Sequence, residues 1–147
     1  MPSSNRNPVN QPATSLLIQR LSEVLGYPLV DLNNIDTVLG SAEHVVLFFT
    51  EDSRRFPEAN DVAVVLPELI GVFPELKPAV VARCDEKALQ KQYGFTSWPA
   101  LVFLRHGQYL GALTGIQDWS VYLGEIRRIL DAELSRPPTV GIPVVVQ

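Results

Sequence analysis

Residues 93–115 read Y-G-F-T-S-W-P-A-L-V-F-L-R-H-G-Q-Y-L-G-A-L-T-G, and this run constrains the fold more than any other. It predicts a turn that ends at Pro99, a buried strand over Ala100–Arg105, a two-residue corner at His106-Gly107, and a second strand that closes near Gly115. Two apolar runs so closely joined form an antiparallel hairpin. Such a hairpin needs further strands to bury its face.

The chain supplies them. His44 to Thr50, H-V-V-L-F-F-T, is continuously apolar and rich in β-branched and aromatic residues, as a strand buried on both faces reads. It is expected at the centre of the sheet. Pro28 to Asp31 can supply a short strand and Ala79 to Cys84 a longer one. Helices are expected where apolar residues recur at helical spacing. The first runs from Thr14 with Leu17, Leu21, Val24 and Leu25 inward and Gly26 as its C-cap. The others are Ile35–Leu39 after Asn34, Val62–Val72 after an Asp61 cap with a kink at Pro67, Asp85–Tyr93 capped by its own Asp85, and Trp119–Leu134 behind Asp118. After the leading helix the main order is βαβαββα.

At 147 residues, 46% of them hydrophobic, the chain suits one domain with one core. Residues 1–12 carry three prolines and little to bury, so they read as a disordered lead-in. Residues 13–134 form the domain and residues 135–147 a tail. A net charge of −4 argues against a phosphate-binding surface, so nucleic acid is not an expected partner. Nothing approaches the roughly 18 apolar residues of a membrane span, and no signal-peptide core is present, which makes a cytoplasmic protein the expectation. The one cysteine forms no internal disulfide, which fits that compartment.

From Leu29 to Leu134 these elements resemble a thioredoxin, and the likeness is most specific around Pro99. It implies an α/β fold, a three-layer α/β/α sandwich with a central mixed sheet, and a cis Trp98-Pro99 bond facing the loop F-F-T-E-D-S-R-R-F-P-E. Laid on that loop without gaps, Arg54 and Pro57 stand where a thioredoxin has its two cysteines, so dithiol chemistry is absent. Three further motifs give a closer likeness: R-x-P-E-x-x-D (Arg55, Pro57, Glu58, Asp61), Y-G-F-x-x-x-P-A-L-V-F, and G-x-L-x-G-I-x-x-W (Gly111, Leu113, Gly115, Ile116, Trp119). They resemble the HyaE-type hydrogenase expression proteins, thioredoxin-like accessory proteins without the cysteine pair. The resemblance implies a non-catalytic chaperone of a membrane-bound nickel-iron hydrogenase. It would bind the small-subunit precursor through its twin-arginine leader, with other maturation proteins as further partners and no cofactor of its own.

The residues themselves suggest a binding surface. In this type of fold the residue before the cis proline presents its backbone donor and acceptor to a groove, where an extended peptide pairs as an added strand. Trp98 occupies that place beside Pro99 and adds an aromatic face. Glu51, Asp52, Glu58 and Asp61 gather around the same rim, broken by Arg54 and Arg55. They read either as a solvated loop with weak ion pairs or as a dock for the arginines of a leader; Asp61 has the further role of a helix cap. Cys84, beside Asp85 and Glu86, reads as a structural cysteine, because adjacent acids disfavour a thiolate. The alternatives are a thiol oxidoreductase working through an exposed Cys84, and a structural adaptor that assembles through an edge strand or the tail. His44 and His106 lie on different elements without metal-ligand spacing.

Overall fold

The structure is a computed structural model in which residues 15–132 are described. The expected lead-in, residues 1–12, and the expected tail, residues 135–147, lie outside the described residues; the last helix, expected to run to Leu134, ends at Asp131, where Ala132 turns to an extended backbone. In chain order the elements are α1 (Leu16–Glu23), β1 (Leu29–Val30), α2 (Ile35–Leu39), β2 (His44–Phe49), α3 (Glu58–Val72), β3 (Leu76–Val81), α4 (Glu86–Tyr93), β4 (Ala100–Arg105), β5 (Gln108–Thr114) and α5 (Trp119–Asp131). A 3-10 turn, Arg83–Asp85, joins β3 to α4.

The strands form one mixed sheet in the order β1-β3-β2-β4-β5. β2 and β3 run parallel because α3 carries the chain back to the same end of the sheet. β4 runs antiparallel to both β2 and β5. His106 and Gly107 turn the hairpin with φ of 50° and 79°, the pair of left-handed conformations that matches the twist of two antiparallel strands.

The alternation of β2 divides the interior in two. Val46 and Phe48 join Leu21 of α1, Leu66 and Leu69 of α3, and Tyr122 and Ile126 of α5 on one face. Val45, Leu47 and Phe49 join Leu39 of α2 and Leu89 and Tyr93 of α4 on the other. This is the expected α/β/α sandwich. Each fully buried Phe or Leu contributes about 1.5–3 kcal/mol.

Several local readings need correction. β3 starts at Leu76 and takes in Pro78, because β1 reaches only Val80 and Val81, so at Pro78 one side of the strand has no neighbour that needs its missing N–H. Cys84 therefore sits in the 3-10 turn, past the strand. α1 buries Ile18 and Leu21 and leaves Leu17, Val24 and Leu25 exposed; Ser15 caps it by accepting from the Ile18 N–H. α3 begins at Glu58, with Pro57 as its N-cap, so Asp61 lies inside the first turn and is not the cap. Pro57 already holds the φ of −62° that a helix needs. The helix then continues through Pro67 without a break. Asn34, Asp85 and Asp118 hold N-cap positions without side-chain capping bonds. Asn34 instead accepts from the Asp31 N–H, and Asp85 from the Leu32 N–H.

Candidate functional site

The loop after β2 and the turn before β4 meet because their strands are neighbours, with Phe49 opposite Ala100. The Trp98-Pro99 bond is cis. Pro99 is buried, and its carbonyl accepts from the Gly115 N–H at 2.7 Å, which joins this turn to the end of β5. Trp98 is half-buried. Its ring packs edge-on against Phe95 at 5.3 Å and tilted against Phe56 at 6.0 Å. Among the described residues no hydrogen bond engages the backbone N–H or C=O of Trp98.

Beneath these rings lies Glu86, the first residue of α4, only 3% exposed. The Trp98 indole N–H donates to its Oε1 at 2.9 Å. The Glu51 N–H donates to both carboxylate oxygens, at 3.0 and 3.1 Å. The backbone N–H and the hydroxyl of Thr50 reach Oε2 at 3.3 Å. Burial raises the carboxyl pKa to about 7, against the downward pull of the Glu51, Trp98 and Thr50 hydrogen bonds and of the Arg83 guanidinium. One buried group thus ties the rim loop to the turn that carries Pro99.

Above it, Phe56, Glu58, Thr96, Ser97, Trp98, Thr114 and Gly115 line a groove of about 560 Å³. Of the four acids expected around the rim, Glu58 alone lines this groove. Glu51 adopts φ 51°, and its side chain turns inward to accept from the Asp52 N–H and to pair with Arg83 at 3.5 Å. Asp52 accepts from the Arg54 N–H at 2.8 Å and meets the Arg54 guanidinium at 3.4 Å, contacts that hold its pKa below the usual carboxylate range. Asp61 is exposed, one turn along α3, where its charge helps raise the pKa of Tyr122 on α5, a phenol shifted mainly by burial. The groove therefore combines an aromatic wall, three hydroxyls and one carboxylate. It suits a partner with a cationic and an apolar side chain close together.

Cys84 is exposed and takes no part in the core. It borders a different cavity of about 340 Å³ with Ile18, Leu29 and Val80. Among the described residues no three His, Cys, Asp or Glu side chains are placed to hold a metal. His106 lies 3.9 Å from Glu43. Glu86 is the residue that sequence reasoning missed, having counted it only as a neighbour of Cys84. The signal was present: Glu86, Leu89 and Tyr93 stand three and seven apart, which puts an acid on the buried stripe of α4, where it must find partners.

The chain is similar to several known proteins. The model of the family described as Hydrogenase-1 expression protein HyaE matches residues 17–122. The hydrogenase expression/formation protein HoxO of Azotobacter vinelandii is 49% identical over 126 residues, which cover 86% of this chain and 85% of HoxO. HupG of Bradyrhizobium diazoefficiens, also described as a hydrogenase expression/formation protein, is 43% identical over 80% of this chain and 83% of its own. The crystal structure of a hydrogenase expression/formation protein hupG from Rhodopseudomonas palustris is 44% identical, with a TM-score of 0.52, covering 70% of this chain and 94% of that one. Mitochondrial thioredoxin 3 of Saccharomyces cerevisiae is 16% identical, with a TM-score of 0.57 over 68% of this chain and 93% of its own, and shares the fold alone.

Proposed function

Because this chain belongs to the HyaE family of hydrogenase expression proteins, and so serves hydrogenase expression and formation, we propose that it is a non-catalytic chaperone for the precursor of a nickel-iron hydrogenase small subunit. The client is held through its twin-arginine leader, an extended segment in which arginines stand beside apolar residues. Binding takes place in the cytoplasm, before export. The observation that carries this reading is the groove itself, where Trp98 offers backbone groups without a hydrogen-bond partner among the described residues, beside Phe56 and the Glu58 carboxylate. An extended leader can add to Trp98 as a short strand, with an arginine at Glu58 and an apolar side chain on the rings.

No thiol chemistry is assigned to the site. The loop that bears two cysteines in a thioredoxin carries Arg54 and Pro57 here, and neither forms a thiolate. Pro99 is buried outside the groove lining and ties its turn to Gly115, while Glu51 and Asp52 hold the rim loop through Arg83 and Arg54. No helix among the described residues is long and apolar enough to cross a membrane.

Titration calorimetry with a synthetic leader peptide tests the reading. Glu58→Lys is expected to weaken binding by about 1–3 kcal/mol at low salt, the scale of a hydrogen bond to a charged group. Added salt should weaken the wild-type complex, because exposed charges are screened. Asp61→Lys, of equal charge change but away from the groove lining, should have the smaller effect. Equal affinity for wild type and Glu58→Lys, with the fold intact by circular dichroism, would mean that the client is held elsewhere.

A further inference from the structure

A buried carboxylate is a poor device for stability alone, since an apolar side chain of the same volume often serves a fold as well or better. Glu86 takes its donors from two segments that are far apart in sequence and adjacent in space: Thr50 and Glu51 on the rim loop, and Trp98 on the turn before β4. Each side needs it. Glu51 is a non-glycine residue at φ 51°, a conformation that persists only where its surroundings hold it, and its N–H ends on the carboxylate. The Trp98 ring, wedged between Phe56 and Phe95, would leave its indole N–H without a partner if Glu86 were absent.

We propose that Glu86 is the positioning residue of the groove, its single carboxylate fixing the rim loop and the Trp98 ring relative to each other so that a basic, apolar extended peptide meets Trp98 and Glu58 in one arrangement. This rests on the groove being the peptide site. Glu86 lies beneath the site and does not touch the peptide. It acts through Trp98 and the Glu51 backbone. A Gln of the same length keeps an acceptor for the indole N–H, whereas Ala leaves that donor and the Thr50 and Glu51 N–H groups unpaired.

The experiment uses the full chain carrying Trp119→Phe, which leaves Trp98 as its one tryptophan, with Glu86→Ala, Glu86→Gln and Trp98→Ala added separately. Where Glu86→Ala fails to fold by far-UV circular dichroism, Glu86→Met, which keeps the volume and offers no carboxylate, takes its place. Trp98 emission and acrylamide quenching report the ring without any peptide, and calorimetry with a synthetic twin-arginine leader peptide reports affinity. Glu86→Ala should shift the emission to the red, expose the ring to quencher and weaken binding about tenfold, while Glu86→Gln stays within about threefold of the parent. Unchanged emission in a folded Glu86→Ala variant would overturn the proposal. Changed emission with parental affinity would overturn it as well, while weakened binding in Trp98→Ala would leave the peptide reading standing. If Trp98→Ala also bound with parental affinity, the groove reading itself would fall.

Discussion

Replacing Glu86 by Gln should change how the stability of this protein depends on pH. In the fold the Glu86 carboxyl is raised to about 7, chiefly by burial, against 4.5 for an ordinary glutamate. Between those values the folded chain keeps a proton that the unfolded chain has released. Stability from this group is therefore fully present below about pH 4.5 and is lost as the pH rises through about 7. The difference corresponds to about 3 kcal/mol, or a urea midpoint about 1.5 M lower for a domain of this size. Gln has no proton to lose, so the variant lacks this slope while sharing every other titration. The assay is urea unfolding of wild type and Glu86→Gln, followed by circular dichroism from about pH 4 to about pH 8, with the difference between the two proteins as the readout. Wild type should lose ground to the variant across that window. Two curves that run parallel would refute the reasoning, and would mean that the Thr50, Glu51 and Trp98 donors outweigh burial and keep the carboxylate charged throughout.

Three further outcomes are expected. In the insulin reduction assay with dithiothreitol, the protein should give no turnover above the blank, since attack and resolution need two thiols and the chain has one; turnover lost in Cys84→Ser would restore the oxidoreductase alternative. Gly111→Ala should lower stability by about 1–3 kcal/mol in thermal unfolding, because a Cβ there meets the buried Ile129 Cγ1 at 3.2 Å, where α5 packs on β5; an unchanged midpoint would show that α5 can shift at little cost. Trp98→Ala should weaken leader binding with little dependence on salt in calorimetry, because its contribution is apolar contact, in contrast to Glu58→Lys.

The parts of the fold that were legible in sequence are those with local causes. β2 announces itself because both its faces are buried, and the β4–β5 hairpin because two left-handed residues must stand at its corner. Helix and strand starts were less legible where proline was involved. Pro78 stops a strand only where a neighbour needs its N–H, and β1 is too short to do so; Pro57 starts α3 earlier than Asp61 suggested. In α1 the choice between Ile18 and Leu17 as the inward residue depends on where α3 lies, which the spacing of four apolar residues does not decide. The same holds for the candidate site. The segment around Pro99 could be placed from its motif, but the division of labour among the acids could not. It depends on Glu51 taking a left-handed backbone and on Arg83 arriving from the turn after β3 to engage it, while Asp52 is taken up by Arg54 two residues along the same loop.

The central place of β2 has a consequence for synthesis of the chain. His44 stands opposite Leu76 on one side and Arg105 on the other, so both neighbours are made after it. While the ribosome is still producing α3, β2 is an apolar strand of six residues with no Asp, Glu, Lys or Arg among them and both edges open, the kind of segment that pairs with copies of itself. Parallel pairing with β3 closes one edge, but the second stays open until translation has passed Arg105. A chain that stops before Ala100 keeps that edge for good, and should collect in aggregates instead of folding in part. A protein proposed to shelter another chain before export thus depends, during its own birth, on finishing the hairpin in time.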